Sequence, residues 1–311
     1  MEVTLEKYQE INDSFKGKSL VFHIGSDAGF YSELNNMILA IIYCLRWNIR
    51  FTLYSADANF KHNNGWTDYF LPFCEEITDD FHHKYNIRYN DPFFYTHKLE
   101  RLKYLLWRLK HKHTYLTSDV FFKFRSVDFE RGKINIPELE LKGNLRAVAG
   151  SIIDLIYRFN EKTYDEISEN IKKIGLPDEY IGFHIRRGDK FVEHELEDYN
   201  KYIIKSEEMS SIRNAYVFTD EYEIVENMRR DYPEWTFYTL TTSSEKGYFH
   251  QDFLKLNVQE KRESMVKLFS SIEILKNSVL FVGTFSSNPG MFLGMYMERA
   301  YGIDYDQWLL W

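Results

Sequence analysis

The chain has 311 residues, 44% of them hydrophobic and 28% charged, the make-up of a globular protein of one large or two ordinary domains. Its formal net charge of −8 argues against a general nucleic-acid or anionic-membrane surface, so a phosphate-bearing ligand would need a local basic cluster. Two cysteines, Cys44 and Cys74, both in apolar or aromatic surroundings, make no disulfide framework and fit a reduced compartment.

The first residues, Met1-Glu-Val-Thr-Leu-Glu-Lys, lack the charged-then-apolar order of a secretory signal. The longest apolar run near the start, Met37 to Leu45, falls short of the ~20 residues that span a bilayer. Ser19 to Ile24 is β-rich and runs into the glycine turn Gly25-Ser-Asp-Ala-Gly29. Leu34, Met37, Ile38, Ile41, Ile42 and Leu45 then recur at helical spacing, and Arg50 to Tyr54 reads as a second strand. This order predicts a parallel α/β sheet in the first half. Residues 55–95 are aromatic and irregular, and His97 to His111 reads as a basic helix. Phe and Tyr number 25 and 23, a supply that fits a packed aromatic core better than a stacking cleft.

Two helical stretches between Ile152 and Lys173 lead through Gly175 and Pro177 into a regular alternation. Strands are expected at Tyr180–Ile185, Ala215–Phe218, Trp235–Leu240 and Val279–Val282. Helices are expected at Glu221–Arg230, around Met265–Leu275, and from Pro289 to about Ala300. Apolar strands alternating with helices describe a doubly wound domain. The expectation is therefore α/β: two facing Rossmann-like domains, 1–174 and 175–311, with a cleft between them and the last helix packing back on the first domain.

Ile181-Gly-Phe-His184-Ile-Arg186-Arg187-Gly188-Asp189-Lys190 sets three cations and one acid where a buried strand gives way to a loop. Ligands of doubly wound sheets bind beyond the carboxyl ends of the strands. Arginine forks match phosphate oxygens, and lysine adds a compact charge. By composition alone such a string is a solvated turn; its place after a strand favours a phosphate contact. Asp220 and Glu221 follow another strand, where they can bind ribose or base, organise the arginines, or serve as acids at a helix start. Ser286, Ser287 and Asn288 precede Pro289, a natural N-cap and a place where anions meet free N–H groups.

The first of these segments is similar to the opening conserved motif of the α-1,6-fucosyltransferase family, His-x-Arg-Arg-x-Asp-Lys. Tyr216-Val-Phe-Thr219-Asp220-Glu221 resembles its second motif, and Phe281-Val-Gly-Thr284-Phe-Ser286-Ser287-Asn288 its third. Gly29-Phe-Tyr-Ser-Glu-Leu-Asn35-Asn36 resembles that family's glycine-rich turn and following helix, and Tyr157-Arg158-Phe with the helix Thr163–Lys173 precedes the first motif at the matching place. The likeness runs from about residue 25 to 300 and rests on three motifs in order.

The resemblance implies a GT-B-like fold, an inverting reaction without metal or other cofactor, a GDP-fucose donor and an oligosaccharide or glycoconjugate acceptor. It implies that Arg186 and Arg187 grip the diphosphate or support its loop and that His184 lies near the nucleoside; Lys190 adds a compact charge, and Asp189 can orient the Arg or Lys side chains or touch the acceptor. Thr284, Ser286, Ser287 and Asn288 would contact the donor diphosphate, Asn288 standing where relatives carry Gln, and Gly29 would belong to the donor-binding set. An inverting transfer needs a base, and the acids after Lys190 supply Glu193 as first choice and Glu195 as second. One departure concerns the base of the nucleotide: relatives place an aspartate thirteen residues before the third motif's Thr, where this chain has Ser271 with Glu273 nearby.

The remaining readings are the same fold with another donor or a peptide acceptor, and an inactive lectin-like protein. A metal role for Asp304-Tyr-Asp306 is disfavoured because metal-dependent transferases carry such a pair at a mid-chain strand end. His82-His83 and His111 with His113 lack a convincing set of partner ligands. With no membrane anchor recognised, the sequence is expected to be that of a cytoplasmic protein of bacterial or viral source, or of a trimmed chain.

Overall fold

A computed structural model of the chain describes residues 4–25, 28–88, 97–188 and 196–305. It divides into two compact units, Met1–Asn160 and Glu161–Trp311. The first begins with α1 (Leu5–Ser14), whose N-cap Thr4 accepts the Lys7 N–H. Strand β1 (Lys18–His23), helix α2 (Phe30–Arg46) and strand β2 (Ile49–Tyr54) form the expected crossover, with β1 and β2 parallel. Then come α3 (Asp80–Tyr85), α4 (Lys98–Lys110), β3 (Thr114–Leu116), α5 (Thr117–Phe124) and α6 (Val127–Arg131). Strand β3 completes a parallel sheet of order β2-β1-β3. A small antiparallel pair, β4 (Ile134–Ile136) and β5 (Leu141–Gly143), leads to α7 (Leu145–Ile156).

The core of this unit is aromatic, as the composition suggests. Trp66 stacks on Phe70 with ring centroids 4.3 Å apart, and Tyr8, Phe22, Phe51, Phe60, Tyr69 and Phe73 are fully buried with them. Such rings bury ~150–250 Å² each, so a few of them supply most of a small sheet's apolar burial.

The second unit opens with α8 (Glu161–Ile174) and β6 (Ile181–Ile185), and continues through α9 (Tyr199–Glu207), β7 (Asn214–Thr219), α10 (Tyr222–Asp231) and β8 (Thr236–Tyr238). Helices α11 (His250–Lys255) and α12 (Val258–Lys276) precede β9 (Leu280–Gly283), α13 (Asn288–Tyr296) and β10 (Ala300–Gly302). All five strands are parallel, in the order β10-β9-β6-β7-β8. Every residue of β6 is buried, as a strand covered by helices on both faces must be. Ile181, Phe183, Ile185, Val217, Trp235 and Val282 share one core cluster.

The units divide before α8, whereas the sequence reading set the boundary after it, at 174. The helix belongs with the second unit because it packs on α12, where the buried Arg262 pairs with Glu166 at 2.7 Å and Asn170 donates to Ser270 at 3.1 Å. The sequence reading also carries the last helix to about Ala300; α13 ends at Tyr296, and the next residues add β10 to the sheet edge beside β9.

Candidate active site

In the second unit the chain passes from β6 outward through β7 and β8, then returns across β6 to β9. The order reverses between β6 and β9, the switch point outside which doubly wound sheets hold ligands. The residues singled out in the sequence leave three neighbouring strands at that edge. Arg186 and Arg187 follow β6, Asp220 and Glu221 follow β7, and Thr284 to Ser287 follow β9. The register fixes their adjacency, since Ile185 is opposite Thr219 and Phe183 opposite Val282.

Asp220 organises the first motif. Its carboxylate pairs with Arg186 and accepts the Arg187 N–H at 2.8 Å and the Tyr248 N–H at 2.8 Å. The Arg186 guanidinium lies over the Tyr248 ring, 5.0 Å from its centroid, which holds the cation by its face as well. Gly188 makes the turn after the arginines with φ +55, and a Cβ there would stand 2.2 Å from the Tyr248 carbonyl oxygen. A side chain at this position would therefore suffer both backbone strain and a backbone clash. Of the roles the sequence left open for Asp220, bracing the arginines is the one its contacts realise. Glu221 occupies the N-cap of α10 without a side-chain capping bond, its N–H donating to Thr219 Oγ1 at 3.3 Å.

Arg187 differs from its neighbour. It is only 9% exposed, and its guanidinium makes no hydrogen bond among the described residues, Nε being buried and unpartnered. The phenol of the fully buried Tyr202 is pushed far above the ordinary tyrosine range by desolvation, and the nearby Arg187 cation acts the other way. A buried cation without an acceptor is costly, and such groups concentrate where a ligand supplies the missing charge.

His184 is buried in β6. It stacks on Phe218 with centroids 4.9 Å apart, and its Nδ1 lies 3.3 Å from the Ser287 hydroxyl. That hydroxyl donates to the Thr284 carbonyl at 2.8 Å and accepts the Gly290 N–H at 3.2 Å. Ser287 is thus the N-cap of α13, with Asn288 and Pro289 inside the first turn, one residue earlier than a helix starting at Pro289. Gly290 is required where it stands: a Cβ would come 1.9 Å from the Thr284 oxygen.

Sequence reasoning weighed Asp304 only as half of a disfavoured metal pair and missed its part in the third motif. Its carboxylate accepts the N–H groups of Phe285 and Ser286, each at 2.8 Å, and so pins the turn after β9 from the strand beside it. Two of the N–H groups that could meet an anion at this helix start already hold an internal one. No spacing signal connects Asp304 to the turn; only the return of β10 does. Tyr248, supplied by the loop after β8, was equally invisible. Ser271 is buried on α12, where its hydroxyl lies 2.9 Å from the Tyr216 hydroxyl and donates to the Lys267 carbonyl at 3.1 Å. Glu273 pairs with Lys276 at 2.9 Å.

Gly29 belongs to the first unit, where its carbonyl accepts the Ser32 and Glu33 N–H groups at the start of α2. Asp189, Lys190, Glu193 and Glu195 lie outside the described residues, as does Asp306. Among the described residues no group of three His, Cys, Asp or Glu side chains could hold a metal ion, and no helix is long and apolar enough to cross a membrane.

No curated protein sequence matches the chain. Residues 142–290 match the family of alpha-(1,6)-fucosyltransferase N- and catalytic domains, a stretch that contains β6, β7 and β9 with their motif residues. NodZ alpha-1,6-fucosyltransferase soaked with GDP-fucose aligns over 91% of this chain and 93% of its own at 10% identity, with a TM-score of 0.54. Fucosyltransferase NodZ from Bradyrhizobium aligns over 90% and 92% at 10% identity, TM-score 0.52, and POFUT1 in complex with GDP over 94% and 97% at 11% identity, TM-score 0.51. At such identities these likenesses establish the fold, two Rossmann-like units of the GT-B type. Through residues 142–290, just under half of its length, and with the three motifs at adjacent strand ends, the chain is similar to the alpha-1,6-fucosyltransferase-like glycosyltransferases.

Proposed function

We propose that the protein transfers fucose, or a closely related sugar, from GDP-fucose to a hydroxyl of an oligosaccharide or glycoconjugate, with inversion and without a metal. The single observation that carries this reading is Arg187, a buried guanidinium with no acceptor among the described residues, at the switch point between β6 and β9. In the reaction the acceptor oxygen attacks the anomeric carbon and gives its proton to a carboxylate, Glu193 by preference or Glu195. The bond from the sugar to the diphosphate breaks, and its electron pair leaves on the diphosphate. Arg187 and Arg186, with Lys190, would neutralise the charge that grows there, the largest task in such a transfer. Asp189 would orient these cations, His184, Thr284, Ser286, Ser287 and Asn288 would shape the donor pocket, Gly29 would belong to the donor-binding set, and the acceptor would fall to the N-terminal domain of the sequence reading.

A second reading keeps the fold and changes the donor base. Ser271 stands where relatives place the guanine-recognising aspartate and is bonded inside the protein, and Glu273 is tied to Lys276. A screen of the common nucleotide sugars, read as released nucleoside diphosphate with and without EDTA, separates the two. Turnover with GDP-fucose that EDTA leaves within about twofold supports the first reading. Turnover only with a non-guanine donor favours the second, and loss on chelation that Mn²⁺ restores overturns the metal-free step. Glu193→Gln is expected to lower kcat by about 100-fold or more with donor affinity unchanged. The same result from Glu195→Gln alone would move the base to that residue.

A further inference from the structure

The charge of the whole chain argues against an anionic membrane surface, yet one element inverts it locally. Helix α4 has no buried residue. Its inner face carries Tyr104, Trp107 and Arg108: Trp107 stacks on Phe81 of α3 at 4.0 Å, and Arg108 pairs with Asp119 of α5 at 2.7 Å. On the other side Leu99, Leu102, Leu105, Leu106 and Leu109 are 46% to 74% exposed. Positions 99, 102, 106 and 109 repeat at intervals of three and four, so the leucines form one continuous stripe. Lys98, Arg101 and Lys110 line the helix with no ion pair among the described residues, Lys112 follows it, and the exposed Lys103 pairs at 3.2 Å with Glu100, which Lys84 also holds. An apolar stripe facing water, flanked by cations, in a chain of net charge −8, needs a partner that is apolar and anionic together.

We propose that α4 is an interfacial helix that lays its leucine stripe into the surface of an anionic lipid bilayer. A helix in a membrane interface sinks its apolar face to the level of the acyl chains while lysine and arginine meet the head groups, which is the pattern α4 presents. A second copy of the chain fits this face poorly. Thirteen residues make about two heptads, fewer than a stable coiled coil uses, and opposed helices would set Arg101, Lys103 and Lys110 against like charges. A glycosyltransferase held in this way would meet acceptors carried on the membrane.

Flotation of the full chain with vesicles tests this. Vesicles of phosphatidylcholine with about one-third phosphatidylglycerol should carry the protein to the top of the gradient at low salt, and phosphatidylcholine alone should not. The triple variant Leu102→Ser, Leu106→Ser, Leu109→Ser should fold normally by circular dichroism, because these side chains touch water, and partition about tenfold less. The charge variant Lys103→Glu, Lys110→Glu should lose the preference for phosphatidylglycerol. The proposal is overturned if the native chain ignores anionic vesicles, or if the serine variant floats as well as the native chain. It is also overturned if light scattering shows a dimer that the serine variant dissociates.

Discussion

Arg186 and Arg187 are adjacent in sequence and opposite in circumstance. Arg186 has its charge answered by Asp220 and its face by Tyr248, while the buried Arg187 guanidinium has no acceptor among the described residues. The first is braced by the protein, and the second is positioned to take a ligand's charge. The Arg187 guanidinium makes no hydrogen bond among the described residues and the backbone bond to Asp220 is kept, so Arg187→Met, which keeps the stem's volume, should lower unfolding free energy by no more than about 1 kcal/mol. Loss of a charge-assisted bond to phosphate is worth about 1.5–3 kcal/mol, so GDP affinity should fall by about 10- to 100-fold. Calorimetric titration together with urea unfolding checks both halves. Unchanged nucleotide affinity would remove Arg187 from the site. The motif string itself was legible in the sequence, but which arginine is spoken for depends on Asp220 and Tyr248, which the fold brings from distant positions.

At the scale of elements, the turn from β9 into α13 shows how a local signal and a remote one combine. Ser287 before Asn288-Pro289 reads as a helix start from sequence alone, and the structure places its hydroxyl on the Gly290 N–H. The turn is nevertheless held from outside by Asp304, whose two bonds of 2.8 Å to Phe285 and Ser286 could not be foreseen from a residue near an unremarkable C-terminal strand. Asp304→Ala leaves two inward N–H groups unanswered and should lower stability by about 2 kcal/mol in thermal denaturation. Asp304→Asn, whose amide oxygen can still accept, should lose less. Equal stability of the alanine variant and the native chain would show that the turn holds without its clasp. Helix α4 teaches the reverse lesson: its basic character was plain in the sequence, whereas only the fold shows that its leucines, not its cations alone, face water.

For the molecule as a whole, the described residues form two α/β units, and acid stability should betray the first of them. His82 is buried beside Tyr54 and Trp107, and its Nδ1 accepts from Asn86 at 3.1 Å. Desolvation lowers its pKa from 6.5 to about 4, the charge of Asp79 opposing the shift. Below its usual pKa the unfolded chain binds a proton that the folded unit refuses, so this group adds nothing to the pH dependence at neutrality and costs stability as pH falls toward 4. The slope approaches about 1.4 kcal/mol per pH unit in that window. Urea unfolding followed from about pH 7.5 to about pH 5 should show a decline that His82→Gln flattens. A variant as acid-sensitive as the native chain would place the sensitivity elsewhere.

By itself the sequence determined the apolar strand runs and the helical spacing, and with them both parallel sheets, most strand positions to within a residue or two, and the three motifs that end on β6, β7 and β9. These are short-range properties: a buried strand must be apolar, and a phosphate-gripping turn must carry cations wherever it sits. Tertiary structure alone decided that α8 joins the second unit through Arg262 and Glu166, that Asp220 and Tyr248 take Arg186 and leave Arg187 open, that Ser271 turns inward to Tyr216, and that Asp304 closes the last turn. Each of these depends on which distant side chain shares a desolvated contact. Burial makes that contact strong and unforgiving, and no pattern along the chain records who the neighbour will be.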